Sequence, residues 1–333
     1  MINPEEKIKR IDRALKSLAS QAKDCRLCPR DCGVNRLAGE TGYCGETLTL
    51  RIAYCGPHFG EEPVISGCQD YFQQQEQQLG GSGTIFFTGC NLRCLYCQNY
   101  QISWLNQGES VDEITLAQKM LQLQAEGVFN INLVTPTHFL LPLLKSLRLA
   151  YQQGLKIPIV YNSSGYEKAE VISLLDQIID IYLPDFKYAS PSLGQKLSRA
   201  PDYFQFAASA LREMKNQQPY LRLDKNNLAR QGLICRHLIL PGYLDNTRTI
   251  INWLATHLAP DIGLSLMSQY RPCFKAPTEL NRTLTPEEYQ EAINWAEKEP
   301  WEILFLQPLK FSSEEHLLPD FNLPDPFGWQ KQK

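Results

Sequence analysis

Residues 5–24 repeat apolar positions at helical spacing, with Ile8, Ile11, Leu15 and Leu18 on one face, and predict an amphipathic helix. A Gly/Pro-punctuated stretch follows to about residue 67. Residues 68–82, with Gln73-Gln74-Gln75 and Gly80-Gly81-Ser82-Gly83, read as a loop or linker. Beyond it, short apolar runs alternate with longer helical patterns. The runs predict strands at about 84–88, 129–134, 157–161, 178–183, 234–240 and 262–268. Helical patterns fall near 114–126, 138–153, 167–176, 201–216 and 246–257. Runs such as Ile131-Asn132-Leu133-Val134 and Leu238-Ile239-Leu240 are mostly apolar, as strands buried on both faces are. Six strands with intervening helices predict an α/β fold with a parallel sheet and right-handed crossovers. That is short of the eight repeats of a full barrel, and both a partial barrel and a doubly wound sheet satisfy it. From about 276 the chain shows one clear helix, Pro286 to Lys298, then a strand-like Ile303-Leu304-Phe305-Leu306 and an end rich in Pro, Asp and Phe. The expected organisation is a cysteine-rich N-terminal extension (1–80), a core (81–275) and a C-terminal cap (276–333).

Composition narrows the chemistry by exclusion. The 333 residues carry a net charge near −3, so the basic excess that drives non-specific nucleic-acid binding is missing. No run approaches the ~18 apolar residues of a membrane span. The polar start, Met1 to Lys7, lacks the apolar centre of a secretion signal, and the expected location is the cytoplasm. In that reducing setting, eleven cysteines read as metal ligands or catalytic thiols rather than disulfides. Seven fall into two tight groups; Cys55, Cys68, Cys235 and Cys273 are isolated and are expected to be mostly inert.

The second group lies in Gly89-Cys90-Asn91-Leu92-Arg93-Cys94-Leu95-Tyr96-Cys97-Gln98-Asn99, directly after the apolar Thr84-Ile85-Phe86-Phe87. Its spacing is C-x3-C-x2-C, and no further cysteine follows in the next hundred residues. A cubane iron–sulfur cluster takes four ligands. Three thiolates from Cys90, Cys94 and Cys97 would leave one iron open to a small molecule. Zinc sites more often show two C-x2-C pairs. The run, with Tyr96 just before the last cysteine, resembles the signature of the radical S-adenosylmethionine (SAM) superfamily. The resemblance implies a partial (β/α)6 TIM-like barrel, a 4Fe-4S cluster whose open iron is chelated by SAM, and reductive cleavage of SAM to a 5′-deoxyadenosyl radical.

In parallel α/β folds the groups that act lie at the carboxyl ends of strands. The second strand ends in Val134-Thr135-Pro136-Thr137-His138. The superfamily usually carries a Gly-Gly-Glu stretch there for the SAM amino group; in this chain Thr135 and Thr137 are the candidate acceptors, and His138 is either a further contact or a helix-start residue. The third strand ends in Tyr161-Asn162-Ser163-Ser164-Gly165-Tyr166-Glu167, where Asn162, Ser163 and Ser164 suit the ribose or carboxylate of SAM, or cap a helix. At the fourth, Asp185 and Lys187 stand two apart and therefore face one pocket, as catalytic or SAM-orienting candidates. Arg236 and His237 sit early on the fifth strand and are read as structural. Pro241-Gly242 fits a close approach to adenine by the same resemblance, and Gln269 and Tyr270 are expected at the barrel mouth. Cys273 is a candidate ligand or hydrogen donor, with a structural role as the alternative. Tyr96 joins the candidate cofactor contacts.

The first group is Cys25-Arg26-Leu27-Cys28-Pro29-Arg30-Asp31-Cys32 with Gly42-Tyr43-Cys44-Gly45. Cys25, Cys28, Cys32 and Cys44 make a complete four-thiolate set for structural zinc or a second 4Fe-4S cluster. Over nearly its whole length the chain resembles homologues of pyruvate formate-lyase-activating enzyme, on the stretches 28–36, 90–99, 132–138, 161–167, 182–188 and 267–272. That resemblance implies hydrogen abstraction from a protein or peptide, with a flavodoxin- or ferredoxin-like electron donor. Extended activases carry ferredoxin-like cysteines after the SAM cluster; here the extra cysteines come before it. Three functions follow as candidates: a radical SAM enzyme acting on a protein or peptide, one acting on a small molecule or nucleoside, and a non-catalytic iron–sulfur electron carrier. An open mouth admits a polypeptide, whereas a tail folded across it selects small molecules.

Overall fold

The computed structural model describes residues 2–67, 80–309 and 317–328. In chain order its helices and strands are α1 (Pro4–Lys23), β1 (Arg51–His58), α2 (Pro63–Ser66), β2 (Ser82–Phe87), α3 (Tyr100–Ser103), β3 (Glu109–Ser110), α4 (Glu113–Ala125), β4 (Ile131–Val134), α5 (Leu140–Gln152), β5 (Ile159–Ser163), α6 (Ala169–Ile172), β6 (Ile181–Pro184), α7 (Pro191–Ser198), α8 (Tyr203–Gln217), β7 (Arg222–Leu223), β8 (Ala229–Leu238), α9 (Leu244–His257), β9 (Gly263–Met267), α10 (Pro286–Ala296) and β10 (Ile303–Leu306).

Strands β2, β4, β5, β6, β8, β9 and β10 pair in that order, all parallel. Antiparallel β1 lies on the outer side of β2, and β3 on β1, so the two ends of the sheet stay unpaired with each other and the barrel is partial. Strands β2, β5, β6 and β9 are buried at every residue, which explains their continuous apolar or small-residue runs. The parallel register, with Phe86 opposite Val134 and Val134 opposite Asn162, brings the carboxyl ends of successive strands to one side. Helix α1 packs on α5 outside the sheet, its first turns near the strand starts. Asn3 caps α1 by accepting from the Glu6 N–H, Pro4 occupies the first turn, and Ile11, Ala14, Leu18 and Ala22 are buried.

All six expected core strands form, shifted by a few residues. The expected helix at 167–176 shrinks to one turn, α6, and a 3-10 turn (Ser173–Leu175), because residues 164–168 are spent on the loop beside the site. Three further features follow from tertiary pairing. Strand β1 occupies part of the stretch expected to be irregular. Pro57 is tolerated in it because, among the described residues, β3 covers only Arg51 and Ile52 and the rest of β1 is an edge. The expected linker at 68–82 lies outside the described residues up to 79, and Ser82 already belongs to β2. Finally, β10 is more than a cap: it pairs with β9 from Ile303 opposite Gly263 to Leu306 opposite Leu266 and covers what would be an exposed parallel edge.

Candidate active site

The loop after β2 carries Cys90, Cys94 and Cys97 into a cavity of about 670 Å³ at the carboxyl end of the sheet, and all three line it. Gly89 opens the loop at φ +73°, and its N–H donates to Ile102 O (2.8 Å). A Cβ there would lie 2.8 Å from the Cys44 carbonyl oxygen and 2.6 Å from Glu46 Cγ, so no other residue fits without displacing backbone. Cys90 Sγ accepts from the Leu92 N–H (3.3 Å) and Cys97 Sγ from the Ser103 hydroxyl (3.2 Å); such bonds hold thiolates toward a metal. Trp104 Nε1 donates to the Cys94 carbonyl (3.0 Å). Burial pushes the Cys97 thiol up to about 12, with the neighbouring Cys94 adding to it, and raises the Cys90 thiol as well. Metal loading therefore has to displace protons from these sulfurs.

These donors fit a cluster with one open corner. Among the described residues no three His, Cys, Asp or Glu side chains converge on a single ion. A cubane makes no such demand, because each thiolate meets its own iron. Cys273 is not in the cavity wall; its Sγ donates to Tyr96 O (3.3 Å).

The strand ends supply the polar lining. Thr135, Asn162, Ser163, Ser164, Asp185 and Lys187 all face the cavity, as does Tyr96. Lys187 Nζ donates to Asp185 Oδ2 at 2.5 Å. Burial would lower the lysine, but Asp185, with the Cys94 thiol nearby, outweighs it and holds the ammonium charged beyond its usual range. Tyr96 shares a hydrogen bond with Tyr188 (2.8 Å), which in turn meets Ser198 (2.7 Å). Thr135 stands at φ +59°, strained for a β-branched residue, and its N–H donates to Asn162 O (2.8 Å). Thr135→Gly is expected to stabilise the fold by about 0.5–1 kcal/mol by relieving that strain, while weakening SAM binding through the lost hydroxyl. Denaturant unfolding alongside SAM titration checks this, and unchanged SAM binding would remove Thr135 from the site.

Other candidates lie elsewhere. Thr137 is fully buried and donates to Glu167 Oε1 (2.5 Å), bracing the β4 and β5 ends instead of meeting the cavity. His138 is buried, its Nε2 meets Thr88 O (2.6 Å), and burial, with Arg36 nearby, lowers it to about 3, so it is neutral and structural. The Gly242 N–H donates to Glu288 Oε1 (2.7 Å), which ties Pro241-Gly242 to α10 and away from the cavity. Gln269 lines the cavity, whereas Tyr270 turns inward to Leu280 O (2.8 Å). His237 is structural as expected, bonded to Phe186 O (2.7 Å) and Thr247 Oγ1 (3.0 Å).

Arg236 corrects the structural reading: it lines the cavity and forms ion pairs with Glu61 and Glu62, which line it too. Burial would lower Arg236, but the two carboxylates hold it charged. Burial raises Glu61 in spite of Arg236, whereas at Glu62 the arginine outweighs burial and lowers it. Nothing in the linear pattern marks two acids before Pro63 as site residues; they resemble a helix start.

Glu167 offers a pH test of the scaffold. Burial raises it from about 4.5 to about 8, partly offset by its hydrogen bonds. The folded state therefore holds a proton that the unfolded chain releases. The stabilisation is fully present below pH ~4.5 and is lost as pH rises through about 8, on the order of 4–5 kcal/mol at about 1.4 kcal/mol per unit. Glu167→Gln is expected to flatten this dependence. Urea midpoints at pH 5 and pH 8.5 report it, and equal slopes in both proteins would contradict it.

The N-terminal thiols also approach one another. A Cβ on Gly42 would lie 3.5 Å from Cys32 Sγ and 3.7 Å from Cys44 Sγ, and the Tyr43 N–H donates to Cys32 Sγ (3.2 Å). Burial raises Cys28, which senses Cys44, Cys32 and Cys25, and pushes Cys44 to about 11. All described cysteines are free thiols. Cys68 lies outside the described residues. Among the described residues no helix is long and apolar enough to cross a membrane.

Comparison with known proteins follows the same lines. Uncharacterized protein MJ0674 of Methanocaldococcus jannaschii is 30% identical over 297 residues, 85% of this chain and 77% of that protein. Among solved structures, SuiB of Streptococcus suis bound to S-adenosylmethionine aligns with TM-score 0.42 and 10% identity over 67% of this chain and 46% of SuiB. SuiB in a second structure aligns with TM-score 0.41 and 10% identity over 68% and 49%. The chain spans about half the length of SuiB. Residues 84–221, from β2 and its cysteine loop through α8, match the Radical SAM superfamily, and the chain belongs to that superfamily.

Proposed function

We propose that this protein is a radical SAM enzyme that takes hydrogen from a small molecule enclosed with SAM in the cavity. Membership of the superfamily implies radical chemistry with a 4Fe-4S cluster and SAM. Cys90, Cys94 and Cys97 would hold the cluster, which when bound supplies the electron that cleaves SAM to methionine and a 5′-deoxyadenosyl radical. The chain's own residues do the rest. Thr135, Asn162, Ser163 and Ser164 offer hydrogen-bond partners for SAM; the Asp185–Lys187 pair places a fixed dipole beside the cysteine loop; Arg236 with Glu62 orients a polar substrate.

The observation that carries the substrate reading is the tail. Phe305, Leu317 and Phe327 belong to the cavity wall. Phe327 packs in one cluster with Phe86 and Ile102, and Gln101 is tied to Asp320 (2.8 Å). A segment folded against β2 and α3 in this way narrows the mouth and excludes water from a radical. The activase-like reading, with a polypeptide reaching in, needs a wider entrance than a cavity whose wall includes Leu317 and Phe327 offers. An electron carrier has no use for so large a lined cavity. The same reading includes a flavodoxin- or ferredoxin-like electron donor, a cytoplasmic location, and a second metal centre, iron–sulfur or zinc, at Cys25, Cys28, Cys32 and Cys44.

The test is anaerobic reconstitution with iron and sulfide, then reduction with SAM and chromatography for 5′-deoxyadenosine. Turnover is then compared with added dialysable and protein fractions of a cell extract. Stimulation by the dialysable fraction is expected. Stimulation by the protein fraction alone would restore the activase reading, and no cleavage by a loaded, reduced protein would sink both.

A further inference from the structure

Resting on the second metal centre of that reading, we propose that the centre braces the SAM-cluster loop, and that Arg30 is the positioning residue that transmits it.

The segment from 24 to 50 has little structure of its own: between α1 and β1 it forms one 3-10 turn, Arg36–Ala38. Its thiols are unpaired by disulfides, and its backbone around Cys25, Cys28, Cys32 and Cys44 forms only turns, so that a metal on the four thiols would tie those turns to one another. Yet this segment grips the catalytic loop at two places flanking Cys90. On the entry side, the Cys44 carbonyl and Glu46 pack against Gly89. Glu46 Oε1 accepts from the Thr88 hydroxyl (2.7 Å) and from Asn106 Nδ2 (2.5 Å).

On the far side stands Arg30, between ligand candidates Cys28 and Cys32. Its Nε donates to Asn91 O (2.8 Å) and its Nη2 to Leu92 O (3.2 Å), the two residues that follow Cys90. Nη2 also reaches Ser198 O (2.9 Å), and Nη1 reaches Arg199 O (2.6 Å). The guanidinium lies 3.9 Å from the centroid of the Tyr43 ring and 5.0 Å from that of Tyr166. A planar fork spent on four carbonyls is a positional clamp, which a lysine could not reproduce. Tyr43 itself lies between Gly42 and Cys44. A metal drawing Cys32 and Cys44 together therefore fixes both the arginine's aromatic seat and the carbonyl against Gly89. The ligand chemistry is a thiophilic centre on four thiolates; because no three donors among the described residues converge on a single ion, it is a second four-iron cluster, in which each thiolate meets its own iron.

Metal content and low-temperature EPR of the reduced protein, titrated with SAM, test this in four chains. They are the wild type, Cys28→Ser/Cys32→Ser, Arg30→Met, and Cys90→Ala/Cys94→Ala/Cys97→Ala. The last chain is expected to retain iron, which counts the N-terminal centre by itself; zinc in its place would overturn the second cluster. Cys28→Ser/Cys32→Ser is expected to lose that metal. Both it and Arg30→Met, which keeps every thiol, are expected to need roughly ten- to a hundredfold more SAM for the SAM-dependent spectral change, the usual effect of removing a group that orients metal ligands. No metal in the triple alanine chain would remove the second centre. Metal present but wild-type SAM titrations in both other variants would overturn the brace and leave the centre standing. No SAM-dependent change in the loaded wild type would instead strike the SAM-binding reading, and the brace with it.

Discussion

Replacing Cys94 by alanine is expected to abolish SAM cleavage. The formation of 5′-deoxyadenosine should fall roughly a hundredfold or more, about 3 kcal/mol of barrier or greater, with loss of the cavity cluster's iron. The thiol stands at the centre of the loop: Trp104 fixes its backbone carbonyl, and its electrostatic influence reaches Cys90, Cys97, Tyr96 and Lys187. Alanine removes a ligand without filling the space, and the remaining two thiolates cannot hold three irons of a cubane. Cys273→Ala is the internal comparison. Its sulfur donates to the Tyr96 carbonyl and is not part of the cavity wall, so cleavage should stay near the wild-type rate. Iron content and product chromatography on both variants decide the point. Equal loss in the two would mean that cysteine loss disturbs the fold, and full activity of Cys94→Ala would remove the loop from the chemistry.

The largest expected loss of stability from a single substitution lies at the other end of the sheet. Lys7→Met is expected to cost about 3–5 kcal/mol, because it leaves a buried carboxylate without its counter-charge. Lys7 is 3% exposed, and its ammonium donates to Asp180 Oδ2 (2.6 Å), Tyr151 OH (3.0 Å) and Ile178 O (3.1 Å). Asp180 also accepts from the Ile159 N–H (2.9 Å), so the pair ties α1 to the start of β5 and β6. Burial lowers the lysine and raises the aspartate, each partly restored by the other, as expected of a pair that is costly to break and of modest net worth to make. A double variant, Lys7→Met/Asp180→Leu, should therefore recover much of the loss. Denaturant midpoints of the three proteins measure this; a single-variant loss below about 1 kcal/mol would show that water reaches the aspartate. The cavity lies at the strands' other ends, so loaded Lys7→Met should still cleave SAM at temperatures where it stays folded.

Much of this molecule was legible along the chain because its determinants are local. Apolar runs bounded by turn residues marked the six core strands, since a strand covered on both faces must be apolar almost throughout. The cysteine loop was legible for a different reason: ligands from one loop must sit close in sequence. Asp185 and Lys187, two apart at a strand end, were bound to share a face. Other residues were misplaced where a local signal had two readings. Thr137 carries the same hydroxyl as Thr135, but the left-handed turn at Thr135 sends one to the cavity and the next but one to Glu167. Arg236 looked structural because its partners, Glu61 and Glu62, lie more than 170 positions away.

Sequence by itself therefore determined the α/β class, the parallel core and the three-thiolate loop, since each rests on the period of the chain or on neighbours within a few residues. Only the tertiary structure decided that β1 and β10 extend the sheet, that the tail forms part of the cavity wall, and that an arginine between two N-terminal cysteines holds the loop around Cys90. Those outcomes depend on which unpaired edge, uncovered apolar face or unsatisfied carbonyl a distant segment meets. Burial and hydrogen-bond satisfaction settle that choice once the chain has folded, and no local pattern records it.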